Sequence, residues 1–306
     1  MQLCTFQSKE PNGLPEVGLV QGDQIVPVQR ALLGLLAPHQ PMLDLITRWE
    51  TVRPILQARM MQPSTQPASL LASLPMNQVR LLAPVPRPGK VLGIGLNYLE
   101  HIQENIVGES RTVPEHQVWF TKLVTAVNGP FDPIVLPDEA VSSMTDYEAE
   151  LVVIIGQRCK HVPRERAHEV VFGYCVGNDV SVRDWQKRTS QWTLGKSFDT
   201  HAPFGPWITT TDALPDPHQL GLRGFVNEEL RQSSNTRLMI HDVWAQIALL
   251  SQAMTLEPGD VIYTGTCSGV GAGMTPPKFL RSGDRVRIEI DHLGAIDAIC
   301  ASERHS

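Results

Sequence analysis

The sequence predicts a β-rich α+β fold, and three observations carry that expectation. Apolar segments of strand length follow one another in quick succession after residue 149: ELVVIIG, VFGYCVGNDV, WITTTD, RGFVNEEL, DVIYTG and RVRIEI. Helical patterns between them are few; the clearest is IHDVWAQIALLSQAM (240–254), with apolar residues at i, i+3, i+4 and i+7. No strand–helix–strand rhythm runs through the chain, which argues against a doubly wound parallel sheet.

Residues 1–80 read as a small N-terminal α/β region. LPEVGLVQGDQIVPV (14–28) alternates around a Gly-Asp turn and predicts a hairpin, and 29–62 mixes Leu, Ala and charged residues at helical spacing. LLAPVPRPGK (81–90) holds three prolines and suits an extended connector, so the division falls between 1–80 and a larger domain, 81–306. VLGIGL (91–96) reads as a buried strand and NYLEHIQE (97–104) as the start of a helix. Residues 105–130, with Gly, Pro and His, read as an irregular lid-like loop. No internal repeat is visible.

At 306 residues the chain is long enough for one large domain, or a small one and a large one. Hydrophobic residues at 42% and charged ones at 19% describe an ordinary globular protein without a disorder signature. A formal charge of −6 and no Lys/Arg-rich run argue against a nucleic-acid partner. MQLCTFQSKEPNG lacks the pattern of a signal peptide, and no stretch approaches the roughly 20 apolar residues of a membrane span. Cys4, Cys159, Cys175, Cys267 and Cys300 form no C-x-x-C and read as reduced thiols. The expectation is a cytoplasmic protein with no membrane partner.

TDYEAELVVIIG (145–156) sets Glu148 and Glu150 one residue apart before a wholly apolar run. Residues i and i+2 of a strand share a face, so the two carboxylates point together while Tyr147 and Ala149 point away. Burying two like charges is costly unless something positive lies between them. The pair is therefore either a solvated edge or part of a site for a hard divalent cation, which takes oxygen ligands. Asp179, where the apolar strand 171–178 ends, is a third carboxylate; its alternative is an ordinary turn or N-cap. SVRDWQ after it packs Arg183, Asp184 and Gln186 into one turn, more polar function than a cap requires.

His101 and Glu104 are i, i+3 neighbours on a helix, where a carboxylate can orient an imidazole and raise its basicity; a solvated face is the alternative. Lys196 in GKSFDTHAPFGPW (195–207) is either a surface lysine or one placed to neutralise a substrate oxygen. TGTCSGVGAG (264–273) is dense in glycine, so its backbone can approach a ligand closely. Nucleotide binding fails on spacing: there is no G-x-x-x-x-G-K, and Tyr98 stands where the third glycine after Gly93 and Gly95 belongs.

Six segments in order resemble the fumarylacetoacetate hydrolase superfamily, in particular its acylpyruvate hydrolases. They are G-L-N-Y-x-x-H-x-x-E (95–104), D-Y-E-A-E-L (146–151), G-N-D-V-S-x-R-D-W-Q (177–186), G-K-S-F-D-T (195–200), R-Q-x-x-N-T (231–236) and L-E-P-G-D-V-I-x-T-G-T (256–266). The resemblance implies a mixed β-roll catalytic domain, a homodimer, and Mg²⁺ or Mn²⁺ on Glu148, Glu150 and Asp179. It implies His101 and Glu104 as a water-activating dyad and Lys196 as the oxyanion lysine. It also implies Arg183, Gln186 and Thr266 as pocket residues. Cys267, Glu228, His201 and Leu123 depart from the family pattern; none is a proposed ligand or dyad member, so substrate identity rather than activity is at stake.

The expected function is metal-dependent hydrolysis of a carbon–carbon bond in a β-diketo acid of the acylpyruvate, fumarylpyruvate or diketo-sugar-acid type. The substrate would be a small keto acid that leaves a pyruvate enolate. The alternative keeps cation and enolate and changes the bond: decarboxylation of a 2-oxo diacid such as oxaloacetate, or a related hydratase or isomerase reaction. A non-catalytic scaffold would be expected to have lost a ligand or dyad residue, and none is missing.

Overall fold

The computed structural model describes residues 1–9, 13–28, 32, 35–37, 39–61, 73–104 and 112–303. Among them the largest sheet has twelve strands. Its main path runs Leu74–Pro75, Gln24–Pro27, Glu16–Gln21, Gln2–Ser8, Ala202–Thr210, Val171–Asn178, Ala149–Ile155, Val261–Tyr263, Val91–Gly95, Val118–Lys122. A second sheet of five runs Glu229–Asn235, Gly221–Val226, Arg285–Ile290, Gly294–Ser302, Ile134–Leu136. Helices are few, as an α+β fold requires.

The apolar run that opens at Ala149 is explained by burial on both faces. Leu151, Val153 and Ile155 pack with Leu222, Val286, Ile288 and Ile296 of the second sheet. Val152 and Ile154 pack on the opposite side with Leu3, Val17, Leu45, Ile46 and Val52 from the N-terminal region. Helix Val243–Ala253 starts at Asp242, whose side chain accepts from the Ala245 N–H, and buries Val243, Ile247 and Leu250 in the first of these cores.

The expected hairpin is present: Glu16–Gln21 pairs with Gln24–Pro27 around Gly22, which has φ +62°. Helices Pro41–Thr47 and Trp49–Met61 occupy most of the helical stretch, and parts of 29–40 and residue 62 lie outside the described residues. RGFVNEEL is not one strand but a hairpin, turning at Asn227 and Glu228 with φ of 51° and 68°. Strand Gln2–Ser8 pairs with Ala202–Thr210 and Val79–Leu82, so the N-terminal strands continue the sheet of the larger region.

The reading of 105–130 as irregular is also corrected. Residues 105–111 lie outside the described residues, but 118–122 is a strand paired antiparallel to Val91–Gly95 rather than irregular loop. V-W-F-T-K alternates: Phe120 and Lys122 are buried and Thr121 is exposed. Among the described residues no helix is long and apolar enough to cross a membrane.

Candidate active site

Glu148, Glu150 and Asp179 meet where two neighbouring strands come together. The Glu148 N–H donates to Asn178 Oδ1 at 3.0 Å, and its carbonyl accepts from the Asp179 N–H at 3.0 Å. These bonds fix the register that places Asp179 beside the two glutamates. One oxygen from each of the three carboxylates lies within 4.8 Å of the others, and all three residues are buried.

Cations answer the repulsion between them. Lys196 Nζ donates to Glu148 Oε2 at 2.7 Å and to Asp179 Oδ2 at 2.5 Å. Arg183 Nη1 donates to Glu148 Oε1 at 2.5 Å, and Lys122 Nζ to Asp179 Oδ1 at 2.5 Å. Burial raises the Glu148 carboxyl, but Lys196 and Arg183 outweigh it and hold the group well below the usual carboxylate range. Glu150 moves the other way: burial, then the charges of Asp179 and Glu148, push it well above that range, against Lys196 and the Gly265 N–H. Burial lowers Lys122 below the ordinary lysine value, and the opposing pull of Asp179 is countered by Lys196.

The donor set fits a hard divalent cation. It offers three carboxylates and no soft ligand, and it holds one of them, Glu150, where the ionised form is unfavourable until more positive charge arrives.

An aromatic wall supports Lys196. Its ammonium stands 4.7 Å from the Phe120 ring centroid, and Trp192 packs on Phe120 at 5.7 Å. The glycines at 93 and 95 make room for these rings: a Cβ at Gly93 would lie 2.4 Å from Phe120, and one at Gly95 would lie 2.3 Å from Trp192. The G-I-G run is thus a packing feature.

His101 sits buried on the short helix Leu99–Gln103, with Nδ1 2.7 Å from Glu104 Oε2. Glu104 Oε1 accepts from the Gly269 N–H at 2.6 Å. The glycine-rich loop does approach anions closely, but the anions are the protein's own carboxylates. Gly265 N–H binds Glu150 at 2.8 Å, Gly269 N–H binds Glu104, and the Gly271 and Ala272 N–H groups bind Asp146 at 2.8 and 3.0 Å.

Arg183 is largely committed within the chain. Besides Glu148 it donates through Nε to Asp146 Oδ2 at 2.9 Å and through Nη1 to Gln186 Oε1 at 3.2 Å. The Thr266 hydroxyl donates to the Ala149 carbonyl at 2.9 Å and accepts from Gln232 Nε2 at 2.8 Å. Sequence reasoning missed the contacts of Lys122, Asp146 and Gln232. The last two lie inside the motif segments and carried a signal. Lys122 carried its alternation with Phe120 and its place as the lysine of the F-x-K segment (120–122) of the family pattern, but no role followed from either.

A mixed, strand-dominated fold that gathers three buried carboxylates, with a buried His–Glu pair whose imidazole acts electrostatically on Glu148, frames a candidate site for a divalent cation. The chain belongs to the fumarylacetoacetate hydrolase family: residues 90–299 match the model of the fumarylacetoacetate (FAA) hydrolase C-terminal domain. It is 41% identical over 299 residues to the mitochondrial oxaloacetate tautomerase Fahd2a of Rattus norvegicus, covering 97% of this chain and 90% of the relative. It is 44% identical over 236 residues to the oxaloacetate tautomerase YisK of Bacillus subtilis, covering 77% of each. Among solved structures it is similar to maleylpyruvate hydrolase from Sphingobium sp. SYK-6 in complex with manganese(II) and pyruvate, with TM-score 0.80, 36% identity and coverage of 99% and 100%. A fumarylacetoacetate hydrolase from Exiguobacterium antarcticum gives TM-score 0.80 at 35% identity, with the same coverage.

Proposed function

We propose that this chain is a divalent-cation-dependent enzyme acting through the enolate of a short 2-oxo dicarboxylate, with keto–enol tautomerisation of oxaloacetate as its reaction. The observation that carries this reading is the buried His101–Glu104 pair, whose imidazole lies within electrostatic reach of Glu148 in the carboxylate triad. Tautomerisation moves one proton between carbon and oxygen, and it needs one oriented base together with positive charge for the enolate. The relatives named oxaloacetate tautomerase support the substrate.

Glu148, Glu150 and Asp179 would hold Mg²⁺ or Mn²⁺, which when bound supplies Lewis-acid stabilisation of enolate charge. With its Nδ1–H turned to Glu104, His101 takes the C3 proton on Nε2 and returns it to the 2-oxygen. Lys196 donates to the oxygen on which charge develops. Gln186 and Thr266 serve as pocket walls, and Arg183 fixes Glu148. Carbon–carbon hydrolysis of an acylpyruvate, the reading first drawn from the sequence, is kept second; it is supported by the likeness to maleylpyruvate hydrolase. We further propose a homodimer, on the family resemblance. We also propose a reducing compartment such as the cytosol, on the five free cysteines; the rat relative is named mitochondrial.

The test is the decay of enol-oxaloacetate absorbance with metal-stripped enzyme, with and without Mg²⁺ or Mn²⁺, against enzyme-free controls. Cation-dependent acceleration without release of pyruvate supports tautomerisation. Pyruvate appearing with CO₂ transfers the reading to decarboxylation, and acetylpyruvate yielding pyruvate and acetate transfers it to hydrolysis. No acceleration with either cation overturns the proposal.

A further inference from the structure

We propose that Lys122 is a positioning residue of this site. It clamps Asp179 by one carboxylate oxygen, so that the other stays turned toward Lys196, which also binds Glu148. The inference rests on the divalent-cation reading above.

The Lys122 ammonium is fully buried and has two fixed acceptors, Asp179 Oδ1 at 2.5 Å and the Val180 carbonyl at 3.1 Å. Lys196 holds the opposite oxygen, Oδ2, at 2.5 Å. The terminal torsion of an aspartate is soft, so a carboxylate gripped on one side can rotate. A donor on each oxygen fixes its plane. The neighbouring chain adds to the grip: Ser181 Oγ donates to the Asp179 carbonyl at 2.9 Å, and the Asp179 N–H is held by Glu148.

The strand that carries Lys122 supports both lysines. Its alternation turns Phe120 and Lys122 to the same face; Phe120 lies beneath Lys196, and Lys122 reaches Asp179 itself. An apolar side chain of similar length would fill this space without the cost of burying an ammonium. What the ammonium adds is its hold on Asp179.

Position and charge make opposite predictions. If Lys122 acted only as a nearby positive charge, removing it would tighten binding of a divalent cation. If it orients a ligand, removing it loosens binding, and loss of such an outer partner typically weakens metal affinity about 10–100-fold.

The experiment titrates Mn²⁺ into metal-stripped enzyme and reads the free ion by electron paramagnetic resonance. It compares wild type with Lys122→Met and Lys122→Arg, with thermal melts to show that each is folded. Weakening of at least about tenfold in Lys122→Met, largely restored in Lys122→Arg, is expected. A folded Lys122→Met that binds Mn²⁺ as wild type does, or more tightly, overturns the clamp. Should Lys122→Met not fold, Lys122→Leu likewise removes both charge and donor. Weakening of at least about tenfold then supports the clamp, and binding as in wild type or tighter overturns it. Wild-type enzyme that takes up no Mn²⁺ sinks the cation-site reading and the clamp together; failure of the clamp alone leaves wild-type binding intact.

Discussion

His101 Nδ1 stands 2.7 Å from Glu104 Oε2, although Glu104 lies one residue beyond the helix that carries His101, with extended backbone at φ −61° and ψ 134°. The pair is therefore more than a helical i, i+3 contact. Glu104 leaves the helix to reach Gly269 with its second oxygen, bridging the end of helix Leu99–Gln103 to the glycine-rich loop. If His101 is the proton carrier, His101→Ala should lower kcat by about 10²–10³ while Mn²⁺ affinity stays within about twofold. Steady-state kinetics beside Mn²⁺ titration checks this, and full activity in the variant would remove His101 from the mechanism.

Gly269 gives a second handle on the same bridge. Its φ is +101°, and a Cβ there would sit 1.9 Å from the Arg231 carbonyl oxygen, which is backbone and cannot swing away. Gly269→Ala must move the loop and take its N–H from Glu104. The expected outcome is a loss of at least about 2 kcal/mol in stability, together with a kcat defect in the same direction as that of a Glu104 variant. Urea denaturation and kinetics on the same preparation test the coupling; lost stability with unchanged kcat would show that the bridge does not matter to turnover.

Removing the cation should cost stability, because the metal-free site leaves Glu150 ionised only at a penalty among buried carboxylates. A ligand bound at a hundred times its dissociation constant stabilises by about 2.7 kcal/mol, which moves the Tm of a chain this size by several degrees. Chelator-treated protein should therefore melt several degrees below the same protein with saturating Mn²⁺. The difference should vanish in Glu150→Gln, which lacks the charged ligand. A Tm indifferent to Mn²⁺ in wild type would count against the carboxylate triad as a cation site.

These arguments differ in how far the sequence already carried them. Glu148 and Glu150 were legible because a two-residue period leaves no choice of face, and Asp179 because it ends an apolar strand. The Val118–Lys122 strand was not legible. Five residues between polar segments carry little local signal, and the strand exists because it pairs with Val91–Gly95, a tertiary effect that overrides propensity. Without the strand, Lys122 was legible only as the lysine of an F-x-K segment, with no partner and no role attached. Arg183 was legible as a polar residue in a suggestive turn, but which acceptors its guanidinium takes depends on Asp146 lying beside Glu148, and no spacing rule states that.

His201 offers a prediction in pH. It is fully buried, its Nε2–H donates to the Val135 carbonyl at 2.9 Å, and its ring stacks on Phe198 at 5.6 Å. Burial pulls its pKa from the ordinary 6.5 down to about 3; the Val135 carbonyl opposes the shift and Lys122 adds to it. Because the folded-state value lies below the unfolded one, the unfolded chain takes up the proton first as pH falls. This group's contribution is therefore intact above about pH 6.5 and is lost progressively on the way down to about 3. By roughly pH 5 the loss is about 2 kcal/mol. His201→Phe replaces the imidazole with a ring that cannot titrate. The variant gives up one hydrogen bond, at a cost of about 1 kcal/mol near neutrality, but its stability should fall less steeply with acid. Other groups, Glu148 among them, also weaken the fold in acid, since a carboxyl held below its usual range stabilises only while ionised. The difference between the two pH profiles isolates His201. Urea midpoints at about pH 7 and about pH 5 suffice: converging profiles support a buried neutral imidazole, and parallel ones would mean that His201 is protonated in the folded protein as readily as in the unfolded chain.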